Sequence, residues 1–192
     1  MTHEGRRIEL VSFKQRGLEN RTASVLFNGA HHSRELITIK MTLSILLKLL
    51  HGVHFSDSET LQVLKTTQVF VIPVVNLDGV AFIEANEKGD GSIQLKRKNG
   101  RVSGSCKAVD EGVDLNRNYN VSWAKTWTRD FMTCSPTYRG PEPFSEPETR
   151  TMRDFITAHK STLKFVVNYH SFGNMFLIPY SGANGNNTLT PE

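Results

Sequence analysis

Apolar residues fall into short runs divided by polar stretches, and the runs are of two kinds. Ala23–Phe27 is an apolar run that reads as a strand to Asn28, and Val69–Val75 is a continuous apolar run, as expected of a strand covered on both faces. Pro73 marks an end or an irregularity in the second run, because proline donates no ladder hydrogen bond. Arg7–Phe13 alternates in part and reads as a first strand, with Leu163–Tyr169 and Met175–Tyr180 as later ones. Leu36–Leu50 instead repeats at helical spacing; its helix is expected to start near Ser33 and to end near His51-Gly52, with glycine as the C-terminal cap. Leu61–Lys65 and Val80 to about Asn86 read as short helices, and Ser145-Glu146-Pro147-Glu148 matches a capping box that opens a helix to about Lys160. Gln15–Thr22, Phe55–Thr60 and Asn76–Gly79 are polar connections, and Gly182–Glu192 is a polar tail. Lys88–Gly112 and Met132–Pro147 are long irregular stretches of the sort that carries function or lacks order. Strands alternate with helices, so the class is α/β with a mixed, largely parallel sheet.

At 192 residues the chain is one domain or a piece of one, with ordinary hydrophobic (38%) and charged (22%) content, enough for a real core. The net charge of +4 is mild, and the one basic cluster, Lys96-Arg97-Lys98, is short, so no nucleic-acid face is indicated. Leu36–Leu50 is interrupted by Lys40 and Lys48 and is too short to span a bilayer, and Met1–Arg6 lacks the apolar core of a signal peptide. The two cysteines, Cys106 and Cys134, stand far apart and do not form a cysteine-type structural zinc site.

The chemistry centres on Asn28–Glu35. A strand runs into a glycine turn, and the turn hands over to a helix, at the sheet edge where open α/β folds bind ligands. His32 and Glu35, three apart, fall on one side of a helical turn, and imidazole and carboxylate are both zinc donors. Taken alone, the pair reads equally well as a polar helix start with Glu35 favoured by the helix dipole. His170 follows another strand end and supplies a third candidate ligand; alone it is an ordinary hydrogen-bonded histidine. A rival cluster, His51, His54, Asp57 and Glu59, lies at an exposed helix end where histidine is favoured electrostatically.

Gly29–Glu35 resembles the H-S-R-E signature of metallocarboxypeptidases of the A and B type, and the resemblance continues in order along the chain. It runs through Glu4-Gly5-Arg6, Asn76-Leu77-Asp78-Gly79, Arg97-Lys98, Gly112–Tyr119, Tyr138-Arg139-Gly140-Pro141, Ser145–Thr149 and Asn168–Ser171. It implies a three-layer fold, an incomplete sheet with helices on both faces, and a partial peptidase domain over residues 1–192. It implies one zinc ion on His32, Glu35 and His170, with Asp114 orienting a histidine ligand. Arg97 would stabilise the oxyanion, and Asn116, Arg117 and Arg34, with Ser171 and Phe172 nearby, would hold the substrate; Phe172 stands where many members have Tyr. Ser33 and Ser145 are expected to serve only as helix caps. Cys106 and Cys134 fall where secreted members carry a disulfide; if they are bridged here the resemblance implies an exported protein, with a cytoplasmic one as the alternative.

The expected partners are peptide or protein C-termini, with no nucleic acid and no membrane, and the chain is expected to act as a monomer. The family's general-base Glu, mobile Tyr and specificity-pocket residue lie well beyond the third ligand, whereas this sequence runs 22 residues past His170. The expectation is therefore a zinc site with poor or no hydrolysis. Two alternatives are a binding module that holds C-terminal tails and another zinc amidohydrolase on the same scaffold. The triplets Asn20-Arg21-Thr22 and Asn120-Val121-Ser122 are candidate sugar acceptors if the protein is exported.

Overall fold

The computed structural model describes residues 1–14, 23–123, 129–171 and 173–178. The elements are β1 (Val11–Phe13), β2 (Ala23–Asn28), α1 (Ile37–His54), α2 (Ser58–Thr66), β3 (Thr67–Ile72), α3 (Leu77–Ala85), α4 (Pro147–His159) and β4 (Leu163–Asn168), with one-turn 3-10 helices at Ala108–Asp110 and Leu115–Arg117. The sheet order is β1-β3-β2-β4; β2 runs parallel to both neighbours and β1 antiparallel to β3. It is a mixed, largely parallel sheet, covered on both faces. Leu26, Phe70 and Ile72 pack with Met152 of α4 on one side. Val69 and Val71 pack with Leu46 of α1 and Leu64 of α2 on the other. The split follows from the two-residue strand period, which sends neighbours in one strand to opposite layers.

Several boundaries differ from those read in the sequence. The first strand is only Val11–Phe13, paired with Val71, Phe70 and Val69 of β3. The helix expected near Ser33 begins at Ile37, and Gly52 lies inside α1, which continues to His54. A Cβ on Gly52 would collide with Thr60 of α2, so the glycine serves close helix packing and the cap is Phe55. The Asn76–Gly79 turn is the first turn of α3, with the Asn76 side chain accepting from the Gly79 amide. The capping box does not form: Glu146 is the N-cap without a side-chain cap, and the Ser145 hydroxyl donates to Glu146. Met175–Ile178 pairs with no strand among the described residues, and β propensity without a ladder partner does not make a strand. Tyr180 and the polar tail lie outside the described residues.

The buried residues of α1 are Thr38, Thr42, Leu46 and Gly52, with Ile45 and Leu49 partly buried against the core, while Leu43, Leu47 and Leu50 are exposed. Thr38 and Thr42 tolerate burial because their hydroxyls donate to carbonyls one turn back. By length and composition α1 is long and apolar enough to cross a membrane, three residues more than the apolar run suggests. It carries Lys40 and Lys48, and its inner stripe lies on the sheet.

Candidate metal centre

In-register pairing sets the geometry. Asn28 stands opposite Ile72 on one side and Asn168 on the other, so β2, β3 and β4 end level. Asn28 donates from Nδ2 to Asn168 Oδ1 at 2.6 Å, and the Tyr169 amide donates to the Asn28 carbonyl at 2.9 Å. The segment after β2 therefore meets the segment after β4 one strand spacing away. Beyond β3, the Val75 and Asn76 amides donate to the carbonyls of Gly29 and Ala30. Gly29 sits against the Thr38 and Pro73 carbonyls, where a Cβ would press at 2.9 Å and 3.2 Å. Ala30, fully buried, holds φ at 54°, a left-handed conformation that costs an alanine about 1–2 kcal/mol.

This tight turn, not the helix, carries His32 and Glu35; the Glu35 amide donates back to the His32 carbonyl. Both side chains are buried, and His170 joins them with its ring a third exposed. His32 Nδ1 lies 2.8 Å from Glu35 Oε1 and 3.2 Å from His170 Nδ1, which is itself 3.1 Å from Glu35 Oε2. Ser171 enters through its backbone, its amide donating to Glu35 Oε2 at 3.0 Å. Phe172 lies outside the described residues.

Asp114 determines which nitrogen of His32 is free. Its carboxylate accepts from Arg97 Nε and Nη2, from the Asn116 amide, and from His32 Nε2 at 3.1 Å. An acceptor so engaged requires His32 Nε2 to carry the hydrogen, which leaves the Nδ1 lone pair facing the Glu35 carboxylate and His170. Electron-pair donors crowded at these distances call for a cation between them, a proton or a metal. Burial opposes charge on His32, but hydrogen bonds to Asp114 and Glu35 prevail and raise its pKa. Burial likewise opposes ionisation of Glu35, and hydrogen bonds from His170, His32 and the Ser171 amide hold its pKa below the usual carboxylate range. Asp114 is lowered too, burial being outweighed by His32 and Arg97. Two imidazoles and one carboxylate, with donor atoms all within 4.8 Å of one another, form a zinc-type set.

Beside this centre, Asn116 and Arg117 occupy the one-turn helix directly after Asp114; Asn116 is exposed and Arg117 partly so, its Nη1 donating to the Asn116 carbonyl. Arg34 is exposed on the metal turn itself. Ser33 is no cap: it is buried, and its hydroxyl donates to the Lys96 carbonyl at 2.8 Å, stitching the turn to the strip that bears Arg97. Cys106 and Cys134 are joined in a disulfide. The rival cluster does not assemble; His51 and His54 pack on Phe55, and Asp57 accepts from the Thr60 amide to cap α2.

Sequence reading passed over His31, Asn76 and the group His3, Glu146 and Glu148. His31 is buried with Nε2 2.8 Å from the Tyr119 hydroxyl; burial, then the charges of His170 and His32, push it down to about 3. Asn76 donates to the His31 and Arg97 carbonyls, and its place just before a helix was the available signal. His3 meets Glu146 and Glu148 across more than 140 positions of the chain, which no local pattern announces.

The sequence matches the family model described as zinc carboxypeptidase over residues 1–191. It is 34% identical over 186 residues to a metallocarboxypeptidase A-like protein of Trichophyton verrucosum, covering 93% of this chain and 40% of that one. It is 29% identical over 181 residues to a carboxypeptidase B of Astacus astacus, covering 94% and 55%. The structure aligns with the carboxypeptidase A from Helicoverpa armigera at a TM-score of 0.73 and 28% identity, over 90% of this chain and 39% of that one. It shares the fold of thrombin activatable fibrinolysis inhibitor, with a TM-score of 0.81 at 24% identity over 97% and 44%. The chain thus spans 40% to 55% of the length of these curated relatives.

Proposed function

The chain belongs to the zinc carboxypeptidase family, and from that premise we propose that it carries the metal-binding and chain-end-recognising parts of a site that hydrolyses the C-terminal peptide bond of peptides and proteins. His32, Glu35 and His170 hold one zinc ion; the convergence of their donor atoms, with the His32 tautomer set by Asp114, carries this reading. Bound there, zinc supplies a Lewis acid for the scissile carbonyl and lowers the pKa of a water. Arg97 spends two of its five N–H donors on Asp114, and those left over stabilise the carbonyl oxygen as it gains negative charge. Arg117, with Asn116, meets the substrate's terminal carboxylate with a planar fork suited to two parallel hydrogen bonds. Arg34, which makes no hydrogen bond among the described residues, assists in the adjoining subsite together with Ser171 and Phe172. An internal peptide bond offers no carboxylate to this grip, which makes the activity exopeptidic. The disulfide supports an extracellular protein.

Among the described residues, the carboxylates that touch the centre are Glu35 and Asp114, and both are committed. No described residue is therefore assigned to take the proton from water. A second reading is a module that holds C-terminal tails without turnover. Calorimetry of the zinc-loaded chain with a peptide bearing a free or an amidated C-terminus tests the shared part. The free acid is expected to bind more tightly by roughly tenfold to a hundredfold, with the preference lost in Arg117→Ala; equal affinities overturn the reading. Chelator-sensitive hydrolysis of a blocked dipeptide then decides for the enzyme, and binding without turnover for the module.

A further inference from the structure

The segment that follows the proposed carboxylate grip ends in a turn that packing does not explain. Asn120 and Val121 are exposed, Val121 to 88%, and Ser122 takes a φ of 57°. The Trp123 amide donates to the Asn120 carbonyl at 3.2 Å and closes the turn. Both flanks are pinned. Before the turn, Asn118 is buried and donates to the carbonyls of Arg139 and Glu142, and the Tyr119 hydroxyl meets His31. After it, the Trp123 indole donates to the Arg139 carbonyl, and the Arg139 guanidinium lies 4.4 Å from its ring centre. The tip projects between these anchors, and the Asn120 side chain makes no hydrogen bond among the described residues.

Asn120-Val121-Ser122 is also an acceptor triplet for asparagine-linked sugar, with no proline in the middle position. Cys106 and Cys134 are bridged, as in proteins that pass through the oxidising compartment where such sugar is added. We propose that Asn120 is the acceptor of an N-linked oligosaccharide. Its Nδ2 bonds to C1 of the sugar, the C1–oxygen bond to the pyrophosphate of a lipid-linked oligosaccharide donor breaks, and the lipid pyrophosphate leaves as the amide gives up one proton to the transferase. Asn120 lies three positions after Arg117, so their Cα atoms lie within about 11 Å, and the sugar stands at the rim of the grip. That placement beside a binding site rests on the function proposed above; the acceptor assignment does not.

The test is peptide mapping by mass spectrometry of the protein expressed through a eukaryotic secretory pathway, before and after an amidase that removes N-linked sugar in heavy-oxygen water. The account expects an oligosaccharide on the peptide containing Asn120, and heavy oxygen at that position after release. It expects one oligosaccharide to be lost in Asn120→Gln and in Ser122→Ala, and none of that mass to be lost in Asn20→Gln. Secreted, disulfide-bonded protein with Asn120 unmodified overturns it, as does protein that stays in the cytosol with both cysteines reduced. The readout is a mass and does not depend on zinc or turnover.

Discussion

The metal turn and the long excursion from Lys88 to Pro147 lie against each other, but they answer the demand for backbone hydrogen bonds differently. The turn inherits its position from the sheet. Level strand ends set where residues 29–35 and 169–171 emerge, and bonds from Gly29, Val75, Asn76 and Tyr169 continue the ladder one step further. Among its described residues the excursion has two one-turn helices, and buried charged side chains satisfy part of its backbone. Lys98 Nζ donates to the carbonyls of Thr133 and Ser135, and Lys96 Nζ to those of Ala108 and Glu111. The Glu111 carboxylate accepts from the Ser103 amide and hydroxyl and from the Cys106 amide, and these donors, led by the Ser103 amide, pull its pKa to about 2. A ladder distributes its load over many equal bonds. An excursion held by single ions concentrates the load, so one substitution there can undo what a strand would absorb.

The largest expected effect breaks this contrast at Lys98, a fully buried cation. Lys98→Ala leaves two carbonyls without their donor and opens a cavity, and should cost about 3 kcal/mol in urea unfolding. Burial, helped by the charge of Lys96, lowers the Lys98 pKa to about 8 from 10.5. The unfolded chain then binds more protons between those values, so wild-type stability relative to Lys98→Ala should rise with pH across that window. A loss under 0.5 kcal/mol, as roughly expected of an ordinary surface site, would remove the contrast.

Asp114 joins the two regions, since it belongs to the excursion and holds His32 of the turn. Asp114→Asn keeps the shape but loses the charge and one acceptor oxygen, and should weaken zinc binding about tenfold to a hundredfold in chelator competition. Unchanged affinity would mean that the turn is complete without the excursion.

The smallest effect sharpens the comparison at the chain's beginning. His3 Nε2 lies 2.7 Å from Glu146 Oε2, with Arg101 on the other carboxylate oxygen and Asn99 bridging to Glu148. The hydrogen bond to Glu146 outweighs burial and raises His3 above its ordinary 6.5. Burial opposes ionisation of Glu146, but hydrogen bonds from His3, Asn99 and Ser145 bring it to about 2 from 4.5. The His3 share of stability is full below 6.5 and is lost as pH rises through the raised value. The Glu146 share is full above 4.5 and is lost as pH falls toward 2. His3→Ala should therefore cost about 1 kcal/mol between pH 4.5 and 6.5 and progressively less above. A difference that grows with pH would contradict the assignment.

What was legible in the sequence follows the same division. β2, β3 and β4 announced themselves as apolar runs, and Gly29–Glu35 as a turn between strand and helix, because repetition and local chemistry are written in neighbouring residues. The α1 boundaries were misread because Gly52 answers to Thr60 of another helix and Ser33 to Lys96 of the excursion. The packing of Lys96, Lys98, Glu111 and Asn118 could not be read from order along the chain, since each meets partners far from its own neighbourhood or spends its charge on a backbone group. The meeting of His170 with His32 and Glu35 was legible from two strand ends and the resemblance; the strand register that sets its distances was not, since separated motifs do not specify it.

The central claim is that three side chains, brought level by the sheet, share one metal ion. Zinc content by elemental analysis, after dialysis against excess zinc and then metal-free buffer, tests it most directly. The account predicts one zinc per chain in the wild type and none retained in His32→Ala or His170→Ala, each checked as folded by its unfolding transition. Zinc absent from the wild type, or retained in full by both variants, would contradict it.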